Sequence, residues 1–191
     1  MDDDRAPRRV AVVLPGRTYG PHAPLPRYAT DAAEARGARP HPVCWAPPEN
    51  APELTTDELG AWACAGAAPV LDGVAARFPA GGTLVIGKSL GSYAAPLAAV
   101  RGLPAVWLTP VLTAGWVVEG LRRATAPCLL VGGTADRLWD GRLARELSPH
   151  VLEVDGADHG MYVPGPLAAS AAVLGRVATA VDEFLDGVLW R

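Results

Sequence analysis

Four serines, four histidines and twelve aspartates are available to this chain, and one of each stands where nucleophilic chemistry would need it. Ser89 lies in Gly87-Lys88-Ser89-Leu90-Gly91, a G-x-S-x-G pattern. Asp136 follows Gly132-Gly133-Thr134-Ala135, and His159 sits within Asp155-Gly156-Ala157-Asp158-His159-Gly160. A serine hydroxyl is a poor nucleophile until a base takes its proton, and that base needs an acid to fix its tautomer and stabilise the imidazolium. Taken in chain order, Ser89, Asp136 and His159 supply nucleophile, acid and base for acyl transfer through a covalent acyl-serine. The two glycines suit a sharp, strained turn from strand to helix. The residues before it, Thr83-Leu84-Val85-Ile86, read as a strand, and those after it as a helix. At such a turn the backbone N–H of Leu90 points toward a developing oxyanion.

Each assignment has rivals. Asp136 would serve equally as the cap of a following helix, with Asp140 as the acid in its place. His22 and His41 stand beside prolines, and His150 precedes a strand, which leaves His159 as the base. Asp158 reads as a loop carboxylate. A sharper rival is the phosphate-cradling pattern G-x-x-x-x-G-K-[ST], which Gly82 to Ser89 satisfies. In a phosphate loop, however, the strand precedes the first glycine and the four intervening residues expose their N–H groups. Here Thr83-Leu84-Val85-Ile86 is apolar and β-prone, and Phe78-Pro79-Ala80-Gly81 cannot be a central strand. That remote alternative would make the chain a nucleotide-binding protein.

The elements that must position these residues come from an alternation of short apolar runs with longer amphipathic or alanine-rich stretches, the pattern of a parallel sheet covered by helices. Six strands are expected, at Val10–Leu14, Pro42–Trp45, Thr83–Ile86, Ala105–Leu108, Cys128–Val131 and Val151–Val154. Helices are expected near 27–37, 57–78, 90–101, 114–124, 139–148 and 167–189. Thr56-Asp57-Glu58 marks the start of the second, and the last repeats apolar residues every three or four positions. The proline-rich stretches at 20–26 and 46–53 read as loops. The expected fold class is α/β, a three-layer sandwich with a mostly parallel six-stranded sheet and helices on both faces. Residues 1–8 are expected to be a flexible N-terminus, and 9–191 one domain. Ligands of such sheets bind beyond the carboxyl ends of the strands, which is where Ser89, Asp136 and His159 all fall.

With GKSLG, GGTAD and GADHGMYVPG in this order, the chain resembles the α/β-hydrolase family, whose triad runs serine, acid after the penultimate strand, histidine after the last. The resemblance spans nearly all of 9–190 and implies Ser89 as nucleophile, Asp136 as acid and His159 as base. It implies a second oxyanion donor from the loop after the first strand, Pro15-Gly16-Arg17-Thr18-Tyr19: a backbone N–H of Gly16 or Arg17, or the Tyr19 hydroxyl. Two departures stand out. The antiparallel strand pair that usually opens the family core has no room before Val10, and only residues 109–126 lie where many members insert a lid. The expectation is a minimal, lidless serine hydrolase with an open crevice acting on a small-molecule carboxylic ester or thioester. The same crevice would also suit non-hydrolytic acyl transfer, cyclisation or simple binding. Tyr19, Trp107, Trp116 and Trp139 are candidates to line an apolar substrate pocket, with Trp45 near the same sheet end.

Composition sets the remaining bounds. A net charge of −3 with half the residues apolar excludes a nucleic-acid surface built on bulk positive charge and excludes a disordered chain. No apolar run reaches the ~18 residues of a membrane span, and the start MDDDRAPRR lacks the pattern of a secretory signal. Three cysteines, Cys44, Cys64 and Cys128, with no C-x-x-C spacing, argue against a disulfide framework and a zinc knuckle. A cytoplasmic monomer or homodimer is expected, with no cofactor, metal, nucleic acid or membrane partner.

Overall fold

The computed structural model describes residues 8–45, 48, 50, 51 and 53–191. The flexible N-terminus expected at 1–8 lies, but for Arg8, outside the described residues, as do positions 46, 47, 49 and 52 of the second proline-rich loop. Six parallel strands form one sheet: β1 (Arg9–Leu14), β2 (Ala38–Pro42), β3 (Thr83–Lys88), β4 (Ala105–Leu108), β5 (Cys128–Gly133) and β6 (His150–Val154), in the order β2-β1-β3-β4-β5-β6. Every side chain of β3, β4 and β5 is buried. That is why these strands read as continuous apolar runs rather than as alternating ones.

Helices α1 (Pro24–Glu34) and α6 (Leu167–Phe184) cover one face of the sheet. There Ala11, Val13, Leu84, Ile86, Val106 and Leu108 meet Leu25, Ala29, Val173 and Val177. The pair is tied by Arg36, which donates to Asp182 and Asp186 of the C-terminal segment. The other face carries α2 (Thr56–Ala75), α3 (Ala95–Val100), α4 (Gly115–Arg123) and α5 (Gly141–Leu147). Val12, Leu14, Val85, Trp107 and Leu130 pack there against Leu59, Leu71, Val117 and Leu121. The architecture is the three-layer α/β sandwich that the alternation of runs predicts.

Several boundaries differ from the expectations, each for a local reason. The second strand is Ala38–Pro42 rather than Pro42–Trp45. The polar segment ARPHP forms it because it is the sheet edge, where proline is tolerated. Trp45 instead packs edge-on against Trp62 of α2, with ring centres 5.8 Å apart. The first helix begins at Pro24, inside the stretch read as a loop, because proline suits the first helical turn, where its missing N–H costs no bond. Thr55 caps α2, one residue before the expected signature, in a reciprocal capping box with Glu58. The helix expected at 90–101 divides into a tight turn at Ser89–Ala94 and α3, with Pro96 at the start of α3.

Candidate active site

β3 runs through Gly87 and Lys88 and ends at Ser89, which opens the tight turn at Ser89–Ala94. Ser89 has φ +49°, a left-handed conformation that a residue with a Cβ adopts only at a cost. The flanking glycines are needed for space. A Cβ at Gly91 would overlap the carbonyl of Leu14 on β1, and one at Gly87 would overlap the Trp107 ring. Gly91→Ala must therefore push the turn off β1, and it should lower the melting temperature and reduce turnover together. Gly175→Ala makes the useful contrast, since that glycine lies exposed within α6 with open space around it. It should gain about 0.5–1 kcal/mol from helix propensity alone, read as a rise of a few degrees in thermal melting with turnover unchanged.

His159 reaches the serine from the loop after β6, its Nε2 standing 2.8 Å from Ser89 Oγ. Its Nδ1 stands 2.7 Å from Asp136 Oδ2. A carboxylate only accepts, so Nδ1 carries the proton and Nε2 is left to accept the serine O–H. Asp136 is buried, and its other oxygen accepts the N–H of Leu138 at 2.9 Å. The rival acid is occupied elsewhere: Asp140 Oδ1 accepts the N–H of Leu143 at 2.9 Å as the cap of α5. The turns that present acid and base are stitched together. Ala135 N–H donates to the Ala157 carbonyl at 3.0 Å, and Thr134 Oγ1 both donates to Asp155 at 2.9 Å and accepts the Gly156 N–H at 2.7 Å. Asp158 shapes the histidine loop rather than the chemistry, its carboxylate accepting the N–H groups of Gly160 and Tyr162.

The oxyanion candidates divide. Leu90 is the second residue of the Ser89–Ala94 turn, and the first N–H groups of such a turn have no partner within it. Gly16 is corrected: its N–H is taken by the Tyr19 carbonyl at 3.0 Å, because the loop after β1 closes back on itself. Arg17 is exposed on the same loop. The Tyr19 hydroxyl accepts the Leu25 N–H at 3.5 Å, and burial raises its phenol above the ordinary value, so the hydroxyl keeps its proton near neutrality.

The four proposed pocket residues also divide. Tyr19 lines an apolar cavity of about 230 Å³ with Leu25, Met161, Tyr162, Leu167 and Leu174. Its walls are thus the loop after β1, the three residues after His159 and the starts of α1 and α6. Trp116 is 54% exposed beside a second cavity of about 370 Å³, with Asp57 and Tyr93, and its indole N–H donates to the Tyr93 carbonyl at 3.1 Å. Trp107 is corrected, being 1% exposed in the core with its ring under Gly87. A central strand covered on both faces has no accessible side. Trp139 is corrected as well. Its ring lies half-buried against the core on Gly132, where the missing Cβ leaves it room, and its indole N–H donates to Glu153 of β6 at 2.7 Å.

The phosphate-loop alternative fails on the backbone. The four residues between Gly82 and Gly87 are the buried interior of β3, so their N–H groups belong to the sheet and cannot cradle a phosphate. Between β4 and β5 the chain makes only α4, with no inserted lid. Among the described residues no helix is long and apolar enough to cross a membrane, and no group of three or more His, Cys, Asp or Glu is placed to hold a metal ion. One residue escaped the sequence reading. Lys88, inside the G-x-S-x-G pattern, is buried and donates from Nζ to the His159 carbonyl. Its position as the one lysine of the chain was the available signal.

No protein-family model matches the sequence, and no curated protein matches it either. Solved structures do match. A dienelactone hydrolase from Anabaena variabilis superposes with a TM-score of 0.70 at 18% identity, covering 97% of this chain and 88% of its own. A lidless α/β serine hydrolase from Xanthomonas campestris gives 0.68 at 14%, covering 100% and 87%. Est1E from Butyrivibrio proteoclasticus, with ferulic acid bound, gives 0.66 at 14%, covering 100% and 94%.

Proposed function

The fold is that of the α/β hydrolases, and from it and the geometry around Ser89 we propose that this protein is a serine hydrolase cleaving a carboxylic ester or thioester through an acyl-serine. The observation that carries the reading is the unbroken relay from Asp136 through His159 to Ser89 Oγ, at 2.7 and 2.8 Å, mounted on a serine with positive φ at the end of the central strand. In the first step Ser89 Oγ attacks the substrate carbonyl carbon while His159 Nε2 takes its proton. Asp136 stabilises the imidazolium, and the Leu90 N–H with an N–H of the Arg17 loop or the Tyr19 hydroxyl receives the charge on the carbonyl oxygen. His159 then returns the proton to the leaving group. In the second step water, deprotonated by His159, releases the acid. A fluorophosphonate probe should label Ser89 and no other serine. A folded protein that the probe leaves unlabelled removes the reading.

The walls beside the histidine loop support a substrate class. The cavity beside the histidine loop is apolar, and at about 230 Å³ it is smaller than the ~300–1,000 Å³ of sites for drug-sized ligands, so it suits one ring or a short chain. That Est1E holds ferulic acid on a similar fold supports an aryl acyl group. Each methylene buried in an apolar pocket is worth about 0.8 kcal/mol, and a cavity this small captures that gain only for the first few carbons. Across p-nitrophenyl esters, kcat/KM should climb for short and aromatic acyl groups and then level off or fall. A steady rise out to long chains would contradict the small-cavity reading.

A further inference from the structure

Sixteen of the seventeen basic side chains are arginine, and the one lysine, Lys88, stands between Gly87 and Ser89. It is 2% exposed. Its Nζ donates to the backbone carbonyl of His159 at 3.0 Å and lies 5.2 Å from the centre of the Tyr19 ring. Its stem runs close beneath the loop after β1, where a Cβ on Gly16 would lie 3.5 Å from Lys88 Cγ. One buried cation therefore touches three segments: the turn that carries the serine, the loop that carries the base, and the loop that walls the apolar cavity. On the serine-hydrolase reading above, we propose that Lys88 is a positioning residue, which pins the His159 backbone and the Tyr19 ring to the nucleophile turn and so keeps His159 Nε2 within reach of Ser89 Oγ.

The charge matters as well as the reach. A methionine would fill the same space without the cost of burying an ammonium, but it offers neither a donor for the His159 carbonyl nor a cation for the Tyr19 ring. The charged and titratable groups facing Lys88 are Asp136 from the loop after β5, Asp158 and His159 from the loop after β6, and Tyr19, beyond which stands Tyr162. Burial pushes the ammonium down to about 8, and the two carboxylates oppose that fall. The cation is thus present at neutral pH and fades as pH rises through that value.

The test is Lys88→Met in the full chain, with Lys88→Arg as the variant that keeps the charge. In Lys88→Met, fluorophosphonate labelling of Ser89 and kcat should both slow by about ten- to a hundredfold, the range that a small misplacement of a reacting group costs, with KM little changed. In the wild type kcat should fall as pH rises through about 8 and the ammonium is lost, that fall should be absent from Lys88→Met, and amide hydrogens across 156–163 should exchange faster in the variant. Lys88→Arg, which keeps its charge, should hold its kcat through that pH range. Should the methionine variant not fold, Lys88→Leu, which likewise lacks both donor and charge, carries the same comparison. A folded neutral variant with wild-type labelling rate and loop exchange, and with the alkaline fall of kcat intact, overturns the inference. A wild-type protein that the probe never labels removes the hydrolase reading instead, and loop exchange then still decides whether Lys88 anchors the histidine loop.

Discussion

Ser89→Ala and His159→Ala should each lower kcat on a p-nitrophenyl ester by about 10⁶-fold, and the double variant by hardly more, because members of one catalytic relay fail as a unit. The reason is visible in the geometry: without Nε2 at 2.8 Å the hydroxyl stays protonated, and without the hydroxyl the histidine has nothing to activate. Initial rates and fluorophosphonate labelling check the expectation, and independent, multiplying losses would refute it. Ser89→Gly adds a stability arm to the same experiment. Ser89 is held at φ +49°, and glycine occupies that region without steric cost. The glycine variant should be inactive yet melt higher than the alanine variant, by about 1 kcal/mol or more. Equal melting of the two would mean that the turn stores no strain.

The second large effect belongs to the acid. Asp136→Asn should lower kcat by about 10⁴-fold, since an amide that donates toward Nδ1 stabilises the wrong imidazole tautomer and supplies no charge for the imidazolium. The carboxylate is buried and accepts from both His159 and Leu138. Asp140→Asn provides the contrast. Asp140 caps α5 through the Leu143 N–H, and asparagine caps as well as aspartate, so turnover and circular dichroism should both stay at wild-type values. If the two variants lose activity alike, the acid has been misassigned.

What was legible in the chain follows from how strongly each element is over-determined. β3 and β5 are buried on both sides and flanked by glycines, so composition and punctuation agreed on them. The residues just beyond their ends, Ser89 and Asp136, could then be placed at one crevice with His159. β2 was misplaced because the apolar Val43-Cys44-Trp45 outweighs ARPHP in any reading by hydrophobicity, whereas the sheet edge asks only for extended backbone. The tryptophans were misread for a related reason. Position along a strand says how near a side chain is to the crevice, while its direction depends on what packs over it. Trp107 had a glycine above it and a core to fill, and Trp139 had Gly132 beneath it and Glu153 to bond. The engagement of the Gly16 N–H is a turn within its own loop, and the burial of Lys88 depends on a loop 71 residues further along the chain, which no local pattern encodes.

The prolines of β2 carry a consequence for behaviour at high concentration. Val43 N–H bonds to the Val13 carbonyl on β1 at 2.9 Å, and strand periodicity then turns the amides of Arg39 and His41 inward as well. The outward positions are 38, 40 and 42, and the last two are proline. From 39 to 42 this edge of the sheet therefore presents carbonyls with no outward N–H between them. A strand from a second copy, or from a chain still folding, finds only half of a ladder there, so aggregation by sheet extension is blocked on this flank by covalent structure and needs no guarding loop.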